Sequence, residues 1–203
     1  MSAALKLPTP ELPTPELADP RRDPEYLKTV EVIRGTKMMR PRPAQPHIFA
    51  ACHLHTRLNM RFGSSGGPGD DGPGGWWILQ EPEIHLERND PIVPDLAGWW
   101  RDRLPFFTQE VGITVAPDWL CEVLSPSTAQ WDRTVKLPLY AEHGIAHLWL
   151  LDPLIRTLES YRLTPDGYLL LRTYGGSQPV RAQPFEAVSL DLACLWSPQA
   201  PAP

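Results

Sequence analysis

The sequence predicts an α+β or mixed-sheet α/β domain. Three observations carry that expectation. β-like runs follow one another from Trp76 to Tyr174, a helix-period segment after Ser127 interrupts them, and a Pro-Asp-Gly turn at 165–167 joins the last two. With 203 residues, 42% of them apolar, one domain with a sizeable core is the default.

Residues 1–24 repeat PTPEL and continue ADPRRDP, a proline density that excludes helix and inner strand. A disordered or polyproline II tail is expected there, and again at Ser197–Pro203, leaving residues 25–196 as the folded domain. Thr29–Ile33 is β-rich, and Gly35 offers a turn toward Met38 and Met39, so a small hairpin is expected. From His47 to Phe62 the apolar residues recur at helical spacing, with the prolines at 41, 43 and 46 placed ahead of the helix. Gly63–Gly75 is a glycine-rich loop without the GK[ST] ending of a P-loop.

Four strands are expected next, at Trp76–Gln80, Glu83–Leu86, Ile92–Trp100 and Trp119–Leu124. Ser127 or Thr128 caps a helix running to about His143, and Gly144 stops it. Ala146–Asp152 reads as a buried strand, and Thr157–Leu163 with Tyr168–Tyr174 as a hairpin.

Composition excludes several classes. No apolar run is long enough to span a bilayer, and the N-terminus has no signal-peptide core. Cys52, Cys121 and Cys194 are widely spaced, which argues against a disulfide scaffold or zinc ribbon and for reduced thiols in a cytoplasmic protein. Net charge is −5, yet residues 21–62 hold nine Lys/Arg against three acids. That stretch reads either as a mixed-charge surface or as a basic patch that tracks phosphates.

The chemistry concentrates on lone acids in apolar strands. Glu122 stands within Trp119–Leu124, and Asp95 within Ile92–Trp100. Burying an unpaired carboxylate costs several kcal/mol, roughly, so such a group is paired, protonated or metal-bound. Two such strands side by side bring two carboxylates to one point, an arrangement that suits Mg²⁺; the plain alternative for each acid alone is a strand end reaching solvent. Asp118 lies about 13 Å along the strand from Glu122, at roughly 3.3 Å per residue, and reads as a strand-entry residue. Lys136 is either an ammonium beside bound phosphate or the surface i,i+4 partner of Asp132. His53 and His55 cannot share a helix face, and His143 and His147 read as structural. Ser125 and Ser127 read as turn and cap residues.

The segments VPDLAGWW, PDWLCEVLSPST, WDRTVKLPLYAEHGIAHLWLLDP and RTLESYRL resemble, in order and spacing, a large bacterial family. It is the restriction-endonuclease family catalogued as domain of unknown function 820, within the PD-(D/E)XK nuclease superfamily. The resemblance covers about Glu25–Trp196, with Glu31 in VEVIRG at the family's usual acid. It implies a restriction-endonuclease-like central mixed sheet flanked by helices. It implies Asp95 and Glu122 as Mg²⁺ ligands (Mn²⁺ as substitute), Lys136 as the catalytic lysine and Glu31 as an outer carboxylate. The superfamily's lysine position, two residues after the second acid, is Leu124 here, and the resemblance places the lysine on the next helix instead.

The function expected is Mg²⁺-dependent hydrolysis of DNA phosphodiester bonds. A catalytically inactive nuclease-fold binding module is the alternative, motivated by the acidic net charge and by Leu124. A Pro-rich tail that recruits a partner is the third. Eight tryptophans, with exposed-looking pairs at Trp76–Trp77 and Trp99–Trp100, suit either a homodimer interface or core and rim packing.

Overall fold

The structure is a computed structural model that describes residues 28–34, 36–63, 72–87 and 90–198. The expected tail at 1–24, most of the glycine-rich loop and the end of the 197–203 tail lie outside the described residues.

The alternation of apolar side chains along β7 (Trp119–Val123) organises the domain. All five residues are buried, with Trp119, Cys121 and Val123 in one apolar core and Leu120 in the other, which also takes Leu124. A strand apolar on both faces belongs inside a sheet covered on both sides. The sheet has six strands in the order β10-β9-β8-β7-β6-β3. These are β3 (Trp76–Gln80), β6 (Leu96–Trp100), β8 (His147–Asp152), β9 (Thr157–Thr164) and β10 (Gly167–Gly175) around β7. β7 and β8 are parallel and every other neighbour is antiparallel, so the sheet is mixed as expected.

A parallel pair needs a crossover. Here it is a continuous helical stretch made of α2 (Ala129–Trp131), a π-helical turn (Asp132–Lys136) and α3 (Leu137–Glu142), and it closes over the Leu120 face. Leu137 N–H bonds back five residues to Asp132 O. Pro138 follows at once, and a proline inside a helix lacks its N–H and clashes with the preceding turn. The wider π turn ahead of it accommodates both problems. Gly144 ends the helix at φ +71°, the left-handed conformation glycine adopts without strain.

α1 (Gln45–Phe62) covers the opposite face, together with the chain from Val180 to Trp196. It begins two residues earlier than the spacing predicts, because Pro46 sits inside its first turn, where a missing N–H costs nothing. The expected first hairpin forms as β1 (Lys28–Ile33) and β2 (Thr36–Pro41), a separate two-stranded sheet.

Three expectations need correction. The run Ile92–Trp100 is not one strand. Pro94 cannot donate to a ladder, and it splits the run into β5 (Asp90–Ile92), which pairs with β4 (Ile84–Glu87), and β6. Asp95 therefore stands at the mouth of β6. The Thr128 side chain makes no capping hydrogen bond to the helix. The tryptophan pairs are not exposed pairs: Trp76 and Trp99 are core residues, while Trp100 is 45% exposed.

Trp76, Trp119 and Trp149 surround the Phe185 ring with centroids 4.9, 4.9 and 5.6 Å away. Two of these indoles cross Gly98, where a Cβ would meet Trp119 Cε3 at 3.1 Å and Trp76 Cε3 at 3.2 Å. Gly98→Ala is expected to destabilise the fold by about 1–3 kcal/mol through overpacking. Urea denaturation checks it: the midpoint falls with the slope unchanged.

Candidate metal and phosphate site

β6 and β7 place the two acids at adjoining backbone positions. Their antiparallel register pairs Leu96 with Cys121 and Ala97 with Leu120, so Asp95, in the bend just before β6, and Glu122 flank the pair Leu96–Cys121. Glu122 projects to the face that holds Leu120, under the helix, whereas Asp95 turns to the Val123 N–H and to His47 of α1. Asp95 Oδ2 accepts Val123 N–H at 2.6 Å and lies 3.3 Å from His47 Nε2.

Glu122 is buried, and its Oε1 accepts hydrogen bonds from Lys136 Nζ at 2.9 Å and from the Tyr140 hydroxyl. Lys136 has 0% exposure, and the same ammonium lies 2.9 Å from Glu31 Oε1 and 3.9 Å from Asp132 Oδ1. Glu31 Oε1 also accepts Val93 N–H at 3.0 Å. The i,i+4 pair Asp132–Lys136 exists, but it is buried rather than on the surface. The π turn and Pro138 hold both residues on the inner side of the helix.

Glu31, Glu122 and Asp132 are buried around the Lys136 ammonium, at 2.9, 2.9 and 3.9 Å. Burial first, then the Glu122 and Glu31 carboxylates, push the Tyr140 phenol well above its ordinary pKa, so it stays a donor to Glu122. Burial first, then Asp95 and Glu122, also raise the Cys121 thiol. It lies on the other face of the sheet and is unsuited to nucleophilic work.

A cleft of about 260 Å³ opens beside Asp95, with walls that include Arg42, His47, Glu81, Ser125 and Ser127. Asp95 lines it, whereas Glu31, Glu122 and Lys136 are not among its lining residues. Among the described residues no three or more His, Cys, Asp or Glu side chains group as a metal site. The donors present still fit Mg²⁺. It is commonly held by one or two carboxylates, with water and phosphate completing its shell, and Asp95 at the cleft is a donor of that kind.

The remaining candidates make contacts within the fold. Asp118 accepts Trp100 N–H at 2.9 Å and pairs with Arg103 at 2.6 Å, which fits its reading as a strand-entry residue. His53 stacks on Phe49, and His55 bonds Ile78 O. Burial lowers the His147 pKa. Two residues escaped the sequence reading. His47 was hidden because a helix-face pattern scores only apolar positions. Tyr140 stood in the D-x3-K-x3-Y spacing without an assigned role.

Removing one partner of a buried ion cluster leaves uncompensated charge, at a cost of about 3–5 kcal/mol. Lys136→Met is expected to lose stability on that scale in thermal or urea denaturation. Adding Glu31→Gln to Lys136→Met should restore part of the loss, a non-additivity that a double-mutant cycle reads directly.

Comparison with known proteins follows the same lines. The model of the Uma2 family, described as "Putative restriction endonuclease", matches residues 30–193. The crystal structure of a putative nuclease belonging to DUF820 from Anabaena variabilis superposes with a TM-score of 0.66 at 21% identity, covering 83% of this chain and 89% of that one. No curated protein matches. Among the described residues no helix is long and apolar enough to cross a membrane.

Proposed function

The chain belongs to the Uma2 family, and from that premise we propose that it is a divalent-metal-dependent endonuclease that hydrolyses DNA phosphodiester bonds. The observation that carries this reading is the β6–β7 register. It places Asp95 and Glu122 at adjoining backbone positions, with the Lys136 ammonium 2.9 Å from the second acid. Asp95 and Glu122 are the residues that would hold Mg²⁺, or Mn²⁺ in its place. When bound, such a cation supplies Lewis-acid polarisation of a phosphate and a more acidic water.

The chain's own groups do the positioning. Val123 N–H and His47 fix the Asp95 carboxylate at the cleft, where a substrate reaches it. Tyr140 and Lys136 fix Glu122 from the helix side. Lys136 adds positive charge close to the reacting centre without screening by water, which favours a transition state that gains negative charge.

A non-catalytic module with the nuclease fold is the second reading. The complete burial of Lys136 favours it, since an ammonium with 0% exposure does not touch a substrate without moving.

Plasmid nicking separates the two. With Mg²⁺ or Mn²⁺, the wild-type protein is expected to nick supercoiled DNA. Glu122→Gln and Asp95→Asn should each lose ~10²-fold or more in rate, and a chelator should abolish nicking. No nicking by the wild type, or equal nicking by the variants, overturns the catalytic reading.

A further inference from the structure

The serine-rich turn between β7 and the helix has no role in the site as described so far. Ser125 Oγ lies 3.1 Å from Ser127 Oγ and 3.0 Å from Thr128 Oγ1, so three hydroxyls form one small array. A turn before a helix normally spends such hydroxyls on capping. Here the Thr128 side chain makes no cap hydrogen bond, and all three residues line the cleft beside Asp95. The array is held rigidly to the site. Ser125 follows Glu122 by three residues, and the intervening Leu124 is buried, with its N–H on Leu151 O at 2.7 Å. The other wall comes from the segment that leads from β2 into α1, where Arg42 stands between Pro41 and Pro43.

Hydroxyls and guanidinium groups are the common protein ligands of backbone phosphate. Among the described residues no Asn or Gln, the side chains that read adenine edges in pairs of hydrogen bonds, lines this cleft. We infer that Ser125, Ser127, Thr128 and Arg42 form a second phosphate subsite, which holds the backbone phosphate next to the scissile one. The inference rests on the nuclease reading and adds to it a substrate contact that positions the strand without reading its sequence. The hydroxyls supply neutral donors that rotate to meet the phosphate oxygens. Arg42 supplies a guanidinium for a charge-assisted contact to the phosphate.

Fluorescence anisotropy of the full chain with a labelled DNA duplex tests this, with Ca²⁺ in place of Mg²⁺ and a salt series. Arg42→Gln should lower the slope of log K against log salt by about 1, the signature of one lost phosphate contact. Ser127→Ala should weaken binding about 5- to 10-fold with little change in slope. Ser127→Asp, which faces the phosphate with a like charge, should weaken it more than Ser127→Ala does. Arg42 and Ser127 are exposed, so the variants are expected to keep the wild-type melting temperature. Unchanged affinity and slope in all three variants, alongside wild-type nicking that Glu122→Gln abolishes, would overturn the subsite and leave the nuclease reading standing. A wild-type protein that neither binds nor nicks DNA overturns both.

Discussion

The buried ammonium of Lys136 is the constraint on which the rest of the site depends. It lies 2.9 Å from carboxylates on two different strands, Glu31 on β1 and Glu122 on β7. The β1–β2 hairpin is not part of the six-stranded sheet. Glu31 meets Lys136 and the Val93 N–H together, while Ile33 packs in the core and Arg34 pairs with Glu142 of the crossover helix. The hairpin in turn fixes where the chain leaves β2, and Arg42 to Ala44 with His47 make one wall of the cleft. One cation therefore holds the second acid and helps to hold the hairpin that leads into the opposite wall. Such a cluster weakens the fold relative to a well-packed apolar core of the same shape, because each ion must be desolvated. Retaining it is consistent with a functional rather than a stabilising role.

The helix that delivers Lys136 is built for that delivery. A regular α-helix across 129–142 would meet Pro138 in its interior and lose a hydrogen bond there. The π turn over Asp132–Lys136 takes up the irregularity just before the proline. Its residues at both ends are buried, and Tyr140, one turn on from Lys136, reaches the same Glu122 oxygen. Local helical irregularity, ion cluster and strand pairing thus converge on a single carboxylate.

Much of this was legible in the sequence, for identifiable reasons. β7 announced itself because a strand covered on both faces must be apolar at every position, which made Glu122 conspicuous. Asp95 stands out for the same reason, although Pro94 divides the run that was expected to be one strand. Pro94 is a single residue, and it interrupts an apolar run without changing its average character. The burial of Lys136 was not legible. An Asp and a Lys four residues apart look the same on a solvated helix and on a buried one, and only the proline two residues later hints at an irregular turn. The hydroxyl array was not legible either: Ser-x-Ser-Thr ahead of a helix reads as turn and cap chemistry, and only the fold shows that its hydroxyls bond one another beside a cleft.

The position of the lysine shows why spacing along the chain is the wrong measure of such a site. A lysine two residues after Glu122 would share its face of the strand and start from position 124. That position holds Leu124, which is 1% exposed and packs in the core beneath the helix. An ammonium there would have to displace apolar packing against Leu139 and Tyr140. From the facing helix, Lys136 meets Glu122 head-on, and its stem lies in the same apolar layer that would have expelled a strand lysine. From the helix the charge ends 2.9 Å from the carboxylate. What the helix adds is the second contact, to Glu31, which ties the hairpin to the sheet.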